Sequence, residues 1–166
     1  MAKTVFFIRH AKSSWSDPRL PDNKRPLNKR GLRDAPFMAQ LLRQQVQPPV
    51  RLLSSPAVRA FSTAEYFAKA FGQTAENINI DERLYLADSD TILRVIKEMD
   101  NDYDQLLIFG HNPGYTFVAN LFTDEFIENV PTCGIVLVQS PVDQWSDFGQ
   151  ESGKVVRFQY PKQYFS

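Results

Sequence analysis

Cysteine occurs once in this chain, at Cys133, and histidine twice, at His10 and His111. A lone cysteine excludes an intrachain disulfide and a cysteine-rich metal centre. Two histidines far apart in sequence argue against a histidine-based zinc site, so no metal and no other cofactor is expected. Charge of one sign is lacking too, because 19 Lys and Arg balance 19 Asp and Glu. Without a basic excess, neither a nucleic acid nor an anionic membrane is an expected partner. Long apolar runs are missing as well. The N-terminal one has about five residues, short of the roughly 7–15 of a signal-peptide core. Nothing approaches the ~18 apolar residues of a membrane span. These absences lead to the expectation of a soluble cytoplasmic protein.

What is present is an alternation of strand and helix signals. The 166 residues, 43% of them hydrophobic, suit one domain over 1–166 with a sizeable core. Thr4–Ile8 and Gln105–Phe109 are continuous apolar runs that predict buried central strands. Shorter strands are expected at Val50–Leu53, Ile78–Ile80, Ile135–Gln139 and Val155–Tyr160. Helical spacing marks Gly31–Val46 with Pro36 in its first turn, Val58–Phe71 with Ser55 as N-cap, Thr91–Met99, and a segment after Pro113. Phe61, Phe67, Phe71, Phe117 and Phe122 are expected in the core. Ser14–Lys29 and Gln144–Gly153 read as polar loops. The alternation predicts an α/β, single-domain, three-layer sandwich, with a mostly parallel central sheet flanked by helices.

Three segments carry chemistry, and each lies where a predicted strand gives way to a loop. In open α/β sheets that edge is where ligands bind. Arg9-His10 ends the first apolar run. A neutral imidazole there can attack phosphorus, and the adjacent guanidinium can grip phosphoryl oxygens. The alternative is a half-exposed histidine beside a surface arginine. Ser55–Ala64 places Arg59 in the first turn of a helix, where guanidinium and helix N-terminus both attract an anion; the alternative is a solvated arginine near a good cap. Gly110-His111-Asn112-Pro113-Gly114 places His111 at the end of the other buried run. There it can donate to a phosphoryl oxygen, or sit incidentally in a capped turn.

Taken together, these segments resemble the histidine phosphatase superfamily, the group of phosphoglycerate mutases and acid phosphatases. Its Arg-His-Gly motif appears as Arg9-His10-Ala11, its Ser-x-x-x-Arg-Ala-x-x-Thr-Ala as Ser55 through Ala64, and its late Gly-His as Gly110-His111. Arg9–Trp15, Arg25-Pro26-Leu27, Arg30-Gly31 and Gly110–Gly114 are similar to the small phosphohistidine phosphatases of the SixA type. The resemblance implies a phosphoglycerate mutase-like fold and a metal-independent phosphatase. It implies His10 as nucleophile and Arg9, Arg59 and His111 as the phosphate pocket. Glu82 is the best positional match for the family's general acid, and a surface carboxylate paired with Arg83 is the alternative. Lys12, Ser13 and Asn112 are further candidates for substrate contact, and Trp15 for the mouth of the site. The implied partner is a phosphorylated protein, such as a phosphotransfer domain or phosphocarrier. A small phosphorylated molecule and a non-catalytic phosphate-binding module are the other readings.

Overall fold

The computed structural model describes residues 2–165. Six strands form one sheet in the order β3-β2-β4-β1-β5-β6. They are β1 (Lys3–Arg9), β2 (Arg51–Ser54), β3 (Ile78–Ile80), β4 (Gln105–Gly110), β5 (Ile135–Ser140) and β6 (Lys154–Gln159). The pairs β1–β4, β4–β2 and β2–β3 are parallel, whereas β5 is antiparallel to both β1 and β6. The helices are α1 (Lys29–Gln45), α2 (Val58–Ala70), α3 (Ser89–Lys97) and α4 (Gly114–Asn120).

Side-chain alternation along the central strands builds two cores. Phe6, Ile8, Leu52, Leu107 and Phe109 face α1 and α2, packing on Met38, Ala39, Leu42, Ala64 and Phe67. Val5, Phe7, Leu53, Leu106 and Ile108 face α3 and α4, packing on Ile92, Val95, Ile96, Tyr115 and Val118. Both faces of β1 are therefore covered, and that is why Val5–Ile8 within it is an unbroken apolar run. Asn28 caps α1 by accepting from the Gly31 amide at 2.9 Å, and Asp88 caps α3 by accepting from Thr91 at 2.8 Å. Gly72, at φ 73°, ends α2, with the Gln73 amide bonded back to the Ala68 carbonyl at 2.8 Å.

The structure corrects several expectations. The start of α1 at Lys29 puts Pro36 inside the helix rather than in its first turn. The N-cap of α2 is Ala57, not Ser55, whose hydroxyl is engaged elsewhere. Phe117 is exposed, because α4 is short and turns only Tyr115, Val118 and Ala119 inward. The polar loop after Gln144 is anchored by buried Trp145 and Phe148. No helix among the described residues is long and apolar enough to cross a membrane.

Gly31 ties this frame to the loop after β1. A Cβ there would lie 2.2 Å from the Lys12 carbonyl oxygen. That carbonyl also accepts from the Asn28 amide at 3.0 Å, so it is not free to swing away. Gly31→Ala is expected to lower stability by about 1–3 kcal/mol through overpacking and to disturb the backbone two residues from His10. Urea unfolding measures the first effect; an unchanged midpoint would count against this tight approach.

Candidate active site

The register of β1 on β4 creates the site. Arg9 lies opposite Gly110 across the parallel pair, so the next residues, His10 and His111, leave the sheet side by side. Their ring centroids are 5.3 Å apart. Gly110 is required at this point, because a Cβ would sit 2.8 Å from the Tyr115 ring. Strand β2 ends at the same rim, with Ser54 opposite Phe109, and delivers Ser55 and then Arg59 in the first turn of α2.

Each histidine is held by an identifiable contact. His10 Nδ1 donates to its neighbour's carbonyl, Ala11 O, at 2.7 Å. A carbonyl only accepts, so Nδ1 carries the proton and Nε2, when the ring is neutral, carries the lone pair. The Ala11 amide donates to Thr63 Oγ1 at 2.9 Å, and that hydroxyl donates to Arg59 O at 2.7 Å, so α2 fixes the loop bearing His10. On the other side Cys133, at φ 60°, donates its amide to the carbonyls of Arg9 and His10, both at 3.0 Å. A left-handed conformation outside glycine costs of order 1–3 kcal/mol, and here it places a shared donor against the backbone of the His10 segment. His111 Nε2 lies 2.7 Å from Ser55 Oγ.

Burial is the main force on both imidazoles. It lowers His10 to about 3, with the Ala11 carbonyl opposing and His111, Arg59 and Arg9 assisting. It also lowers His111 to about 3, where Arg59 assists and Asp22 opposes. Desolvation outranks the neighbouring arginines as the cause. Neutral rings at pH 7 follow in either case. Both histidines, once unfolded, bind protons below about pH 6.5 that the folded protein refuses. Stability is therefore expected to fall as pH drops from 7 toward 4, by up to about 1.4 kcal/mol per pH unit for each histidine. Asp22, held at about 2 in the fold, adds little above about pH 5, because its stabilisation is lost as pH falls through the normal carboxylate range toward its folded value. Urea midpoints at pH 7 and pH 5 check the slope. An equal slope in a variant lacking both histidines would refute it.

Asp22 is the principal residue that sequence reasoning missed. Partial burial would raise its pKa, but Tyr85, Arg59 and Arg25 hold it at about 2. Arg59 Nη2 donates to Asp22 Oδ2 at 2.9 Å and Nη1 to the Asp22 carbonyl at 2.7 Å. Arg25 donates through Nε and Nη2 to Asp22 Oδ1, at 3.2 and 3.1 Å. The Tyr85 hydroxyl makes a short bond to Asp22 Oδ2, and the Tyr85 ring stands edge-on to His111 at 5.4 Å. The loop before α1 is thus clamped onto α2 and the turn after β3.

Three buried nitrogens at this site have no partner. Arg9 Nε, Arg59 Nε and His111 Nδ1 are buried without a hydrogen bond, which leaves only Tyr115 Oη to complete that class among the described residues. Buried polar groups are normally satisfied. Two orphan guanidinium donors and an unpartnered imidazole nitrogen, close to the His10 lone pair, are chemically suited to the oxygens of a phosphoryl group.

The remaining candidates take other positions. Ser13 Oγ accepts from Arg25 Nη1 at 2.7 Å. Asn112 is wholly engaged: its amide nitrogen donates to Asn129 and Val130, and its oxygen accepts from the amide and hydroxyl of Thr116. It secures the loop before β5 and has no donor left for a ligand. Lys12 forms no side-chain hydrogen bond among the described residues and is half-buried. Glu82 is exposed in a turn after β3 without a side-chain partner among the described residues. It is a surface carboxylate, as the alternative had it, but not paired with Arg83, which forks to Asp81 and Glu98 instead. Trp15 is 71% exposed, with the Arg25 guanidinium 3.6 Å from its ring centroid.

The model of the histidine phosphatase superfamily (branch 1) matches residues 5–88, and the chain belongs to that family, which places it among phosphatases. Within the superfamily it groups with the SixA type. A crystal structure assigned as the phosphohistidine phosphatase SixA of Agrobacterium tumefaciens is 25% identical, with a TM-score of 0.79, covering 96% of this chain and 98% of that one. A protein histidine phosphatase SixA complexed with tungstate is similar in fold, at 22% identity and a TM-score of 0.78, covering 96% of this chain and 98% of that one. An uncharacterized protein of Mycobacterium leprae is 31% identical over 169 residues, which span 93% of this chain and all of the relative.

Proposed function

We propose that this chain hydrolyses the phosphoryl group of phosphohistidine borne on a protein, through a covalent intermediate on His10, without a metal. The observation that carries the reading is the set of orphan donors around an imidazole whose Nδ1 is already tied to a carbonyl. His10 Nε2 attacks phosphorus in line as the bond to the substrate's imidazole nitrogen breaks. The leaving imidazole takes the electron pair of that bond and a proton, supplied by solvent or already present on the ring. Water then attacks phosphorus, the bond to Nε2 breaks, and inorganic phosphate leaves. Charge spreads over three phosphoryl oxygens in both steps, so positioned cationic and neutral donors contribute most of the catalysis. Arg9, Arg59 and His111 fill that role.

The proton inventory favours a phosphoramidate over an alkyl ester. Asp22 is ionised near neutral pH and cannot serve as an acid. Tyr85, its pKa raised by burial and by Asp22, already donates to that carboxylate. Glu82 is the remaining carboxylate candidate, and it stands exposed. A leaving nitrogen that is readily protonated has little need of a built acid.

The test is phosphate release from a phosphohistidine-bearing carrier protein and from para-nitrophenyl phosphate, with Glu82→Gln in parallel. Release from the carrier, undiminished in Glu82→Gln, is expected. Release confined to the ester and lost in Glu82→Gln would replace this reading with a small-molecule phosphomonoesterase. Binding of phosphate without turnover of either would leave a binding module.

A further inference from the structure

We propose that Ser55 is a positioning residue: its hydroxyl donates to His111 Nε2 and so holds the ring proton on Nδ1, the nitrogen that meets the anion. The proposal rests on the phosphatase reading for what Nδ1–H is for, but not for where the proton resides. Ser55 is wholly buried and His111 is 2% exposed, so their contact lies away from bulk solvent. The Ser55 oxygen is 2.7 Å from Nε2 and accepts from the Ala57 amide at 3.2 Å. A serine hydroxyl has one hydrogen, and a neutral imidazole has one N–H.

Two arrangements exist. If Nε2–H donated to Ser55, the buried hydroxyl hydrogen would have no acceptor, and Nδ1 would present a lone pair to an incoming phosphoryl oxygen. If Ser55 donates to Nε2, its one hydroxyl hydrogen is used and its oxygen still accepts from the Ala57 amide. The single group left over is then Nδ1–H, an orphan donor beside those of Arg9 and Arg59. The second arrangement satisfies the buried groups and suits an anion. The oxygen's place is set by the sheet, since the Ser55 amide donates to Phe109 O at 3.0 Å, two residues before His111. The hydroxyl that was expected to cap α2 is instead committed to this imidazole.

The two histidines make the test simple, because a long-range proton–nitrogen correlation spectrum of the labelled protein contains only two imidazole systems. His10→Ala assigns them. In the wild type, His111 is expected to show a protonated Nδ1 and an unprotonated Nε2. In Ser55→Ala the ring loses its fixed donor, and its nitrogen shifts move toward an average of both tautomers. Affinity for orthovanadate falls about tenfold, the effect of one misplaced buried hydrogen bond. Ser55→Thr, which keeps the hydroxyl, restores both readouts. An Nε2–H tautomer in the wild type, or a Ser55→Ala spectrum identical to it, would overturn the proposal. The wild-type spectrum decides the tautomer whether or not the threonine variant folds. Failure of the wild type to release phosphate from any substrate would instead overturn the phosphatase reading and leave the tautomer assignment untouched.

Discussion

Replacing His10 by alanine is expected to eliminate phosphate release, a loss of at least about 10³-fold, as is usual when a nucleophile is removed. The protein should remain folded. His10 contributes one side-chain hydrogen bond, to Ala11 O, worth about 1 kcal/mol, and its loss also removes a buried imidazole that resists protonation. Tethering of the loop would persist, because Thr63 and Cys133 hold it through backbone groups that alanine retains. The measurement is chemical trapping: a labelled phosphoramidate mixed with the wild type should leave acid-labile label on the protein, and His10→Ala should leave none. Label found on His111 instead would reverse the two roles. That outcome would conflict with the geometry, in which His111 Nε2 is occupied by Ser55, while His10 Nε2 has no partner among the described residues.

Much of this site was legible because the sheet is built from local signals. Two unbroken apolar runs marked the strands buried on both faces, and each ended at a histidine. Parallel pairing of β1 with β4 then brought the histidines together without further information. The second arginine was legible through the strand end and helix start that precede it. Asp22 was not, because its importance arises from bonds to Arg59, Arg25 and Tyr85, of which only Arg25 is near in sequence. A proline-flanked aspartate in a polar loop looks like any turn residue. Ser55 was misread for a related reason: serine before proline at a helix start is the usual cap signal, and a tertiary partner outcompeted it. Trp145 and Phe148 were hidden in a segment whose average composition is polar, and Lys3 was counted in no ion pair although it is buried against Asp104 at 2.7 Å and the Trp145 ring. Average polarity describes a window, whereas burial is decided residue by residue.

Arg59→Ala is expected to cost about 10²–10³-fold in turnover, the range for loss of one preorganised donor to a developing oxyanion, and Arg59→Lys should recover little of it. The guanidinium does two jobs at once. Its Nη1 and Nη2 hold Asp22, and its Nε is kept free and buried. One ammonium cannot divide itself in that way. Asp22→Asn separates the two jobs. The amide still accepts at one oxygen but loses the charge that fixes Arg59, so a smaller loss is expected, about tenfold, of the size carried by one charge-assisted bond. If Asp22 acts through Arg59, its effect should vanish when Arg59 is already alanine, and the double variant should be no slower than Arg59→Ala alone. Fully additive losses would mean that Asp22 reaches the reaction by another route, through Tyr85 and its edge-on contact with His111. Faster turnover in Asp22→Asn would mean that the carboxylate competes with phosphate for Arg59. The unpartnered Nε argues for the positioning role, since a competing carboxylate would be expected to cover the free edge of the guanidinium rather than leave it open.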